Sequence, residues 1–262
     1  MTTMQKFRAY ALENPMELDV AMCEVYTILA QDVDQFTMFD GGSHKGWHAH
    51  RMLQIENCAK VYAVEADPSI GNILVDNLTK WHTEDTPKLH IVRKALQDQA
   101  STTSIPWLSS HSHVGRSSIQ SKNTDSPSIW STHQDVQYRD DVSVPATTID
   151  LILEADKRPL PFVKLDLEGA DFLALRGASD TLKNARPVIA FENSDKAPGV
   201  HGYTLDDVSD YFNSHSYVPL DYTGQPLHKD TWFEFYEAWT VPIEKLAQTQ
   251  QLISAAINKR IS

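Results

Sequence analysis

Six carboxylates stand where short apolar runs of this chain end: Asp40, Glu65, Asp98, Asp166, Glu168 and Glu192. The first opens the stretch Asp40-Gly41-Gly42-Ser43-His44-Lys45-Gly46. Glycines let a backbone approach a ligand closely, and a pyrophosphate binder uses them to aim N–H groups and a helix N-terminus at negative oxygens. Asp40 would repel such a ligand. The spacing D-x-G-x-x-x-G also differs from the dinucleotide pattern G-x-G-x-x-G. A nicotinamide-dependent oxidoreductase is therefore the weaker reading of this loop.

A ligand with no phosphate and a positive centre suits these residues better. S-adenosylmethionine is one, with a sulfonium, an ammonium and a carboxylate. Gly42, Ser43 and Gly46 would let the chain approach its methionine part. Glu65 lies 19 residues past Gly46. There it can accept both ribose hydroxyls, as acids do after the second strand of other nucleoside sites. Asp98 is placed to accept from the adenine amino group. The plainer alternative is a simple glycine turn with Glu65 as a solvated strand end.

The elements that must position these groups alternate along the chain. Leu18, Met22, Val25 and Leu29 predict an amphipathic helix. Strands are expected at Phe36–Asp40, Lys60–Glu65, Leu89–Ala95, Pro161–Asp166 and Pro187–Glu192. Helices are expected at Trp47–Cys58, from Pro68 toward Trp81, and at Thr147–Ala155, Ala170–Ala185 and Leu205–Ser214. Such alternation implies crossovers and a parallel sheet, whose ligands bind at the carboxyl ends of the strands. Ser216–Tyr222 and Thr231–Val241 read as two further strands around a Gly224-Gln225-Pro226 turn. Pro242–Ile261 reads as a closing helix with Ile243, Leu246, Ile253 and Ile257 on one side. It could pack on the sheet or on a second copy of the chain in a homo-oligomer. Residues 101–132 stand apart, with 15 of 32 being Ser or Thr. Trp107, Trp130 and Ile119 within them favour a lid over a plain linker.

Composition narrows the partners. The 262 residues carry 23 Lys plus Arg against 35 Asp plus Glu, a formal charge of −12. That balance argues against nucleic acid and against anionic membrane, which need clustered cations. Cys23 and Cys58 cannot build a disulfide framework and read as buried thiols of a reducing compartment. No targeting signal or spanning run is visible, so a cytoplasmic protein is expected.

Several motifs together resemble the FkbM-type family of S-adenosylmethionine-dependent methyltransferases. They are Phe39-Asp40-Gly41-Gly42-Ser43-His44-Lys45-Gly46, Val64-Glu65-Ala66-Asp67-Pro68, Lys94-Ala95-Leu96-Gln97-Asp98 and Val144-Pro145-Ala146-Thr147-Thr148-Ile149-Asp150. The most specific is Lys164-Leu165-Asp166-Leu167-Glu168-Gly169-Ala170-Asp171, followed by Leu175-Arg176-Gly177-Ala178 and Leu182. It matches that family's K-x-D-x-E-G-x-E, then R-G-A. Asp171 replaces the usual Glu, and Gly41 replaces a small aliphatic residue. The resemblance covers roughly residues 36 to 195. It implies an α/β, Rossmann-like, seven-stranded class I methyltransferase sheet, mostly parallel with an antiparallel last strand and helices on both faces. Residues 1–35 and the Ser/Thr-rich segment match no motif of that family; length and patterning support one methyltransferase domain over 1–262, with a helical extension at 1–35, a lid or substrate loop at 101–140 and a C-terminal helix at 242–262. The resemblance places Ala66 beside Glu65 at the cofactor. It also implies methyl transfer to a hydroxyl, often on a sugar or natural-product scaffold.

Such a transfer is an in-line displacement that needs aligned reactants and a base for the hydroxyl proton. Asp166 is the first candidate, with Glu168 and Glu192 next and Lys164 holding a carboxylate in place. Lys164 in an ion pair with either acid, and Glu168 capping the next helix, are the structural alternatives. His111, His113, His133 and His201 are alternative bases. Asp166, Glu192 and a loop histidine could also hold Mg²⁺. His113, Arg116 and Ser117 of the lid would face the acceptor. Trp107, Trp130, Tyr203, Trp232 and Tyr236 would stack on a sugar or fill the core. A non-catalytic binding protein on the same fold is disfavoured by the intact row of acids.

Overall fold

Side chains of the central strands alternate between two apolar cores, and that alternation builds the domain. Phe36 and Met38 enter one core while Phe39 enters the other. Phe162, Val188, Ala190, Trp239 and Val241 join the first; Val163, Leu165, Ile189, Phe191 and Ala238 join the second. Strands buried on both faces read as continuous apolar runs, as these do. The computed structural model describes residues 3–14, 16–82, 86–110, 116–120, 128–129, 138–235 and 237–261.

The chain begins with α1 (Thr3–Glu13) and α2 (Met16–Ala30), then enters β1 (Phe36–Gly41), α3 (Trp47–Leu53), β2 (Cys58–Val64), α4 (Pro68–Trp81) and β3 (Leu89–Val92). Five shorter or accessory strands follow: β4 (Ala95–Leu96), β5 (Ile105–Ser110), β6 (Ser118–Ile119), β7 (Tyr138–Val144) and β8 (Ala146–Thr147). Next come α5 (Ile149–Leu153), β9 (Phe162–Leu165), α6 (Asp171–Arg176), α7 (Ser179–Asn184) and β10 (Val188–Glu192). The chain closes with α8 (Ala197–His201), α9 (Leu205–Ser214), β11 (Tyr217–Asp221), β12 (Glu237–Pro242) and α10 (Leu246–Ile261).

Seven strands form the main sheet in the order β11-β12-β10-β9-β1-β2-β3. The pairs β9–β10, β9–β1, β1–β2 and β2–β3 are parallel. Only β12 runs against its neighbours β10 and β11. The predicted mostly parallel seven-stranded sheet is therefore present. Helices α1, α2 and α10 cover the first core, and α5, α6, α7 and α9 cover the second.

Several boundaries differ from the expected ones for identifiable reasons. The expected helix at Ala170–Ala185 is two helices, because Gly177 packs against the Gln97 carbonyl. A Cβ there would stand 2.1 Å from that oxygen. The strand expected over Leu89–Ala95 stops at Val92, and Ala95–Leu96 instead pairs in parallel with Ala146–Thr147. The helix after β1 ends at Leu53 rather than Cys58. The last strand starts at Glu237, since a 3₁₀ turn occupies Lys229–Thr231. Ile243 lies in another 3₁₀ turn and is exposed, while Ile253 and Ile257 are buried as expected. The segment read as a lid holds three strands, β6-β5-β7, paired antiparallel. Both cysteines are buried. No helix among the described residues is long and apolar enough to cross a membrane.

Candidate active site

The turn after β1 is shaped by backbone constraints. Gly42 has φ +72, and a Cβ there would stand 1.9 Å from the Asp166 carbonyl oxygen. Only glycine fits that approach between the ends of β1 and β9. Gly42 and Ser43 donate their N–H groups to Val64 O at 3.0 and 2.8 Å. His44 follows at φ +50, a conformation uncommon for a residue with a side chain. That turn aims the His44 N–H at Glu65 Oε2, 2.9 Å away, and the Asp67 N–H reaches Glu65 Oε1 at 2.8 Å. Two donors thus fix the Glu65 carboxyl at the end of β2. Burial nevertheless pushes its pKa up to about 7.

A second network lies on the face of the sheet that α2 and α3 cover. Lys164 is only 5% exposed. Its ammonium donates to Gly42 O at 3.1 Å and to Asp166 Oδ2 at 3.4 Å, and stands 3.6 Å from Asp40 Oδ1. Burial works against that charge, but Asp166 and Asp40 outweigh it and hold the ammonium above its ordinary range. Lys164 therefore acts as a fixed cation, not as a proton carrier. Strand periodicity puts Asp40, Lys164, Asp166, Glu192 and Glu237 on this one face. Glu237 stands directly opposite Glu192 across β12 and β10. Burial raises both carboxyls well above their ordinary range, with Glu168 adding to Glu192 and Asp166 to Glu237. The same happens to Asp171, pushed up to about 7 by burial and then by Asp166. Asp171 accepts from the N–H groups of Leu167 and Glu192, both at 3.2 Å, and so ties the ends of β9 and β10 together.

Between these groups a cavity opens at the carboxyl edge of the sheet. Its polar wall is Gly42, His44, Glu65, Asp166 and Glu168; its apolar wall includes Ile70, Leu96, Trp107 and Ile119. Of the residues expected at the cofactor, Gly42, Glu65 and Ala66 line it. Of the expected catalytic and acceptor residues, Asp166, Glu168 and Ser117 line it.

The other predicted site residues have different tasks. Asp40 is fully buried, and its Oδ2 accepts from the Ala49 N–H at 3.0 Å in the first turn of α3. Ser43 is buried and donates to Asp40 O at 2.7 Å. Gly46, at φ +90, leaves room for Leu74 and Leu78. Asp98 is drawn off the cavity by Arg176, 2.7 Å away. Glu192 Oε2 accepts from the Gly169 N–H at 3.1 Å and borders a separate aromatic pocket of about 310 Å³ with Phe172, Tyr203 and Trp232. Arg116 is described but does not line the cavity. Burial pushes His201 down to about 4. His111, His113, His133, Trp130 and Tyr236 lie outside the described residues. Among the described residues, no three His, Cys, Asp or Glu side chains converge as a metal cluster, so the Mg²⁺ expectation gains no support.

Residue-by-residue reading gave His44 and Asp67 no task at the cavity and left Trp107 between a sugar-stacking and a core role. Asp67 before Pro68 is a legible helix cap, and it does accept from the Ser69 and Ile70 N–H groups. Its contacts to residues 40 and 42 positions away had no local signal.

The strand order, the single reversed strand and the cavity at the carboxyl edge define a Rossmann-like, class I methyltransferase fold. A family model described as the methyltransferase FkbM domain matches residues 40–219. The chain belongs to the FkbM methyltransferase family. Among solved structures it is similar to the methyltransferase FkbM from Methylobacillus flagellatus KT. That match has 16% identity and a TM-score of 0.50 over 79% of this chain and 44% of that one. The chain thus spans less than half the length of that structure. Weaker likenesses include a precorrin-6y C5,15-methyltransferase from Geobacter metallireducens GS-15, with 10% identity, TM-score 0.41 and 84% of each chain. Another is TrmK of M. capricolum in complex with S-adenosyl-homocysteine, with 11% identity, TM-score 0.37, and 82% of this chain against 65% of that one. No curated protein matches the chain.

Proposed function

We propose that this protein is an S-adenosylmethionine-dependent O-methyltransferase acting on a hydroxyl of a small molecule or glycan. The observation that carries the reading is the Glu65 carboxyl, held by two backbone N–H groups at the edge of a cavity that also presents Asp166 and Glu168. A carboxylate-lined cavity suits a cationic cofactor without phosphate and penalises a dinucleotide. Glu65 would accept from a ribose diol, and the glycine turn at Gly42 would admit the methionine part. When bound, the cofactor supplies a methyl group on a sulfonium.

The chain's own residues do the rest. Asp166, with its side chain 44% exposed, is the carboxylate that takes the proton from the attacking hydroxyl. Lys164 fixes that carboxylate from behind. Glu192 and Glu237 flank it on the same face and keep the surroundings from gaining further negative charge, because burial favours their neutral forms. Calorimetry on protein cleared of endogenous ligand tests the reading. Micromolar or tighter binding of S-adenosylhomocysteine supports it, and no detectable binding removes it.

A further inference from the structure

The inserted sheet bears on the cofactor end of the cavity. Trp107 and Ile119 are direct partners across β5 and β6, so their side chains share one face. Both line the cavity, together with Ser117. Facing them are Ile70 at the start of α4 and the β4 residues Ala95 and Leu96. Trp107, Ile119 and Ala95 pack in one buried cluster, and together with Ile70 and Leu96 they make the apolar side of the cavity that also holds the Glu65 carboxyl. A ribose held by Glu65 would deliver its flat heterocycle to that apolar side.

One buried side chain joins the two walls. Asp67 Oδ1 accepts from the N–H groups of Ser69 and Ile70 at 2.9 and 3.2 Å. Its Oδ2 accepts from Ser109 Oγ at 2.6 Å and from Trp107 Nε1 at 3.3 Å. Burial opposes the charge on Asp67, yet these donors hold its carboxyl below the ordinary range. The Ser117 hydroxyl is placed in turn by the Ser110 N–H at 2.9 Å.

We infer that the inserted sheet is the nucleobase wall of the cofactor site, and that Asp67 is the positioning residue that holds this wall in place. This rests on reading the cavity as an S-adenosylmethionine site. Trp107 and Ile119 contact the base; Asp67 acts through Trp107 and Ile70.

The test compares two ligands on the full chain: S-adenosylhomocysteine, and S-ribosylhomocysteine, which lacks the base. Ile119→Ala, which removes an apolar contact, and Asp67→Asn, which loosens Trp107 and Ser109, are each expected to weaken S-adenosylhomocysteine about tenfold. Affinity for S-ribosylhomocysteine should stay unchanged in both, an outcome that mere loosening of the fold would not produce. Adenosine should quench tryptophan emission in the wild type and not in Trp107→Phe, which keeps the fluorescence readout available if Asp67→Asn fails to fold. Unchanged S-adenosylhomocysteine affinity in both variants, or equal loss of both ligands, overturns the inference. Wild-type protein that binds neither ligand overturns the cofactor reading itself.

Discussion

Glu65 carries a conflict between stability and ligand recognition. Burial favours its neutral form, with a pKa of about 7, while a ribose diol is best accepted by the carboxylate. Binding of S-adenosylhomocysteine should therefore strengthen from pH 6 to pH 8 and level off above. Calorimetry across that range checks it. The sign for folding is opposite. An acid whose folded pKa is raised stabilises the fold fully below its unfolded pKa and loses that contribution as pH rises through about 7. Glu65→Gln should thus flatten the fall in urea midpoint between pH 5 and pH 8, while its amide nitrogen faces a backbone N–H and costs a hydrogen bond at every pH, and it should weaken S-adenosylhomocysteine roughly tenfold or more. Asp40 behaves differently. Asp40→Ala strips the first turn of α3 of an acceptor and leaves buried Lys164 short of a partner, at a cost of about 3–5 kcal/mol. Urea denaturation should show that loss directly, and it identifies Asp40 as a folding residue ahead of a binding one.

Among the elements, the strand ends were the most legible part of the sequence. Short apolar runs followed by acids located β1, β2, β9 and β10, and period-2 alternation put Asp40, Lys164 and Asp166 on one face. The residues whose partners were not legible are those with partners distant in the chain. Asp98 looked free to meet an adenine, but Arg176, 78 positions on, holds it. Asp40 looked like a loop acid, but Lys164 and the start of α3 enclose it. The inserted strands are short and Ser-rich, and β5 pairs with β7 across a gap that composition alone marks as loop. Two predictions belong to this scale. Gly42→Ala should destabilise the fold by at least about 2 kcal/mol, since positive φ and the Asp166 carbonyl both exclude a Cβ. Glu237→Gln should raise the denaturation midpoint at pH 8 and leave it unchanged near pH 4, because burial, and then Asp166, penalises the charged form of Glu237 in the folded state.

At the scale of the whole molecule, the first and last helices share one core. Ile253, Ala256 and Ile257 of α10 are buried in the cluster that contains Phe7, Met22 and Val25. Arg260 pairs with Glu17 at 3.2 Å and Glu24 at 3.2 Å on α2. Ile253→Ala should therefore lower stability by about 2–5 kcal/mol in urea denaturation. The second core, beneath α6 and α9, lies across the sheet and should not register that change locally in hydrogen exchange.

The pairing of Ala95 with Ala146 and of Leu96 with Thr147 brings the two ends of the inserted segment side by side. That makes the segment a graft on the parent sheet. Beyond the contacts that Trp107, Ser109 and Ile119 make, added length enters the folding free energy through the slow logarithmic cost of closing a loop. A chain built this way can alter one wall of the cavity without rebuilding the sheet that carries the acids.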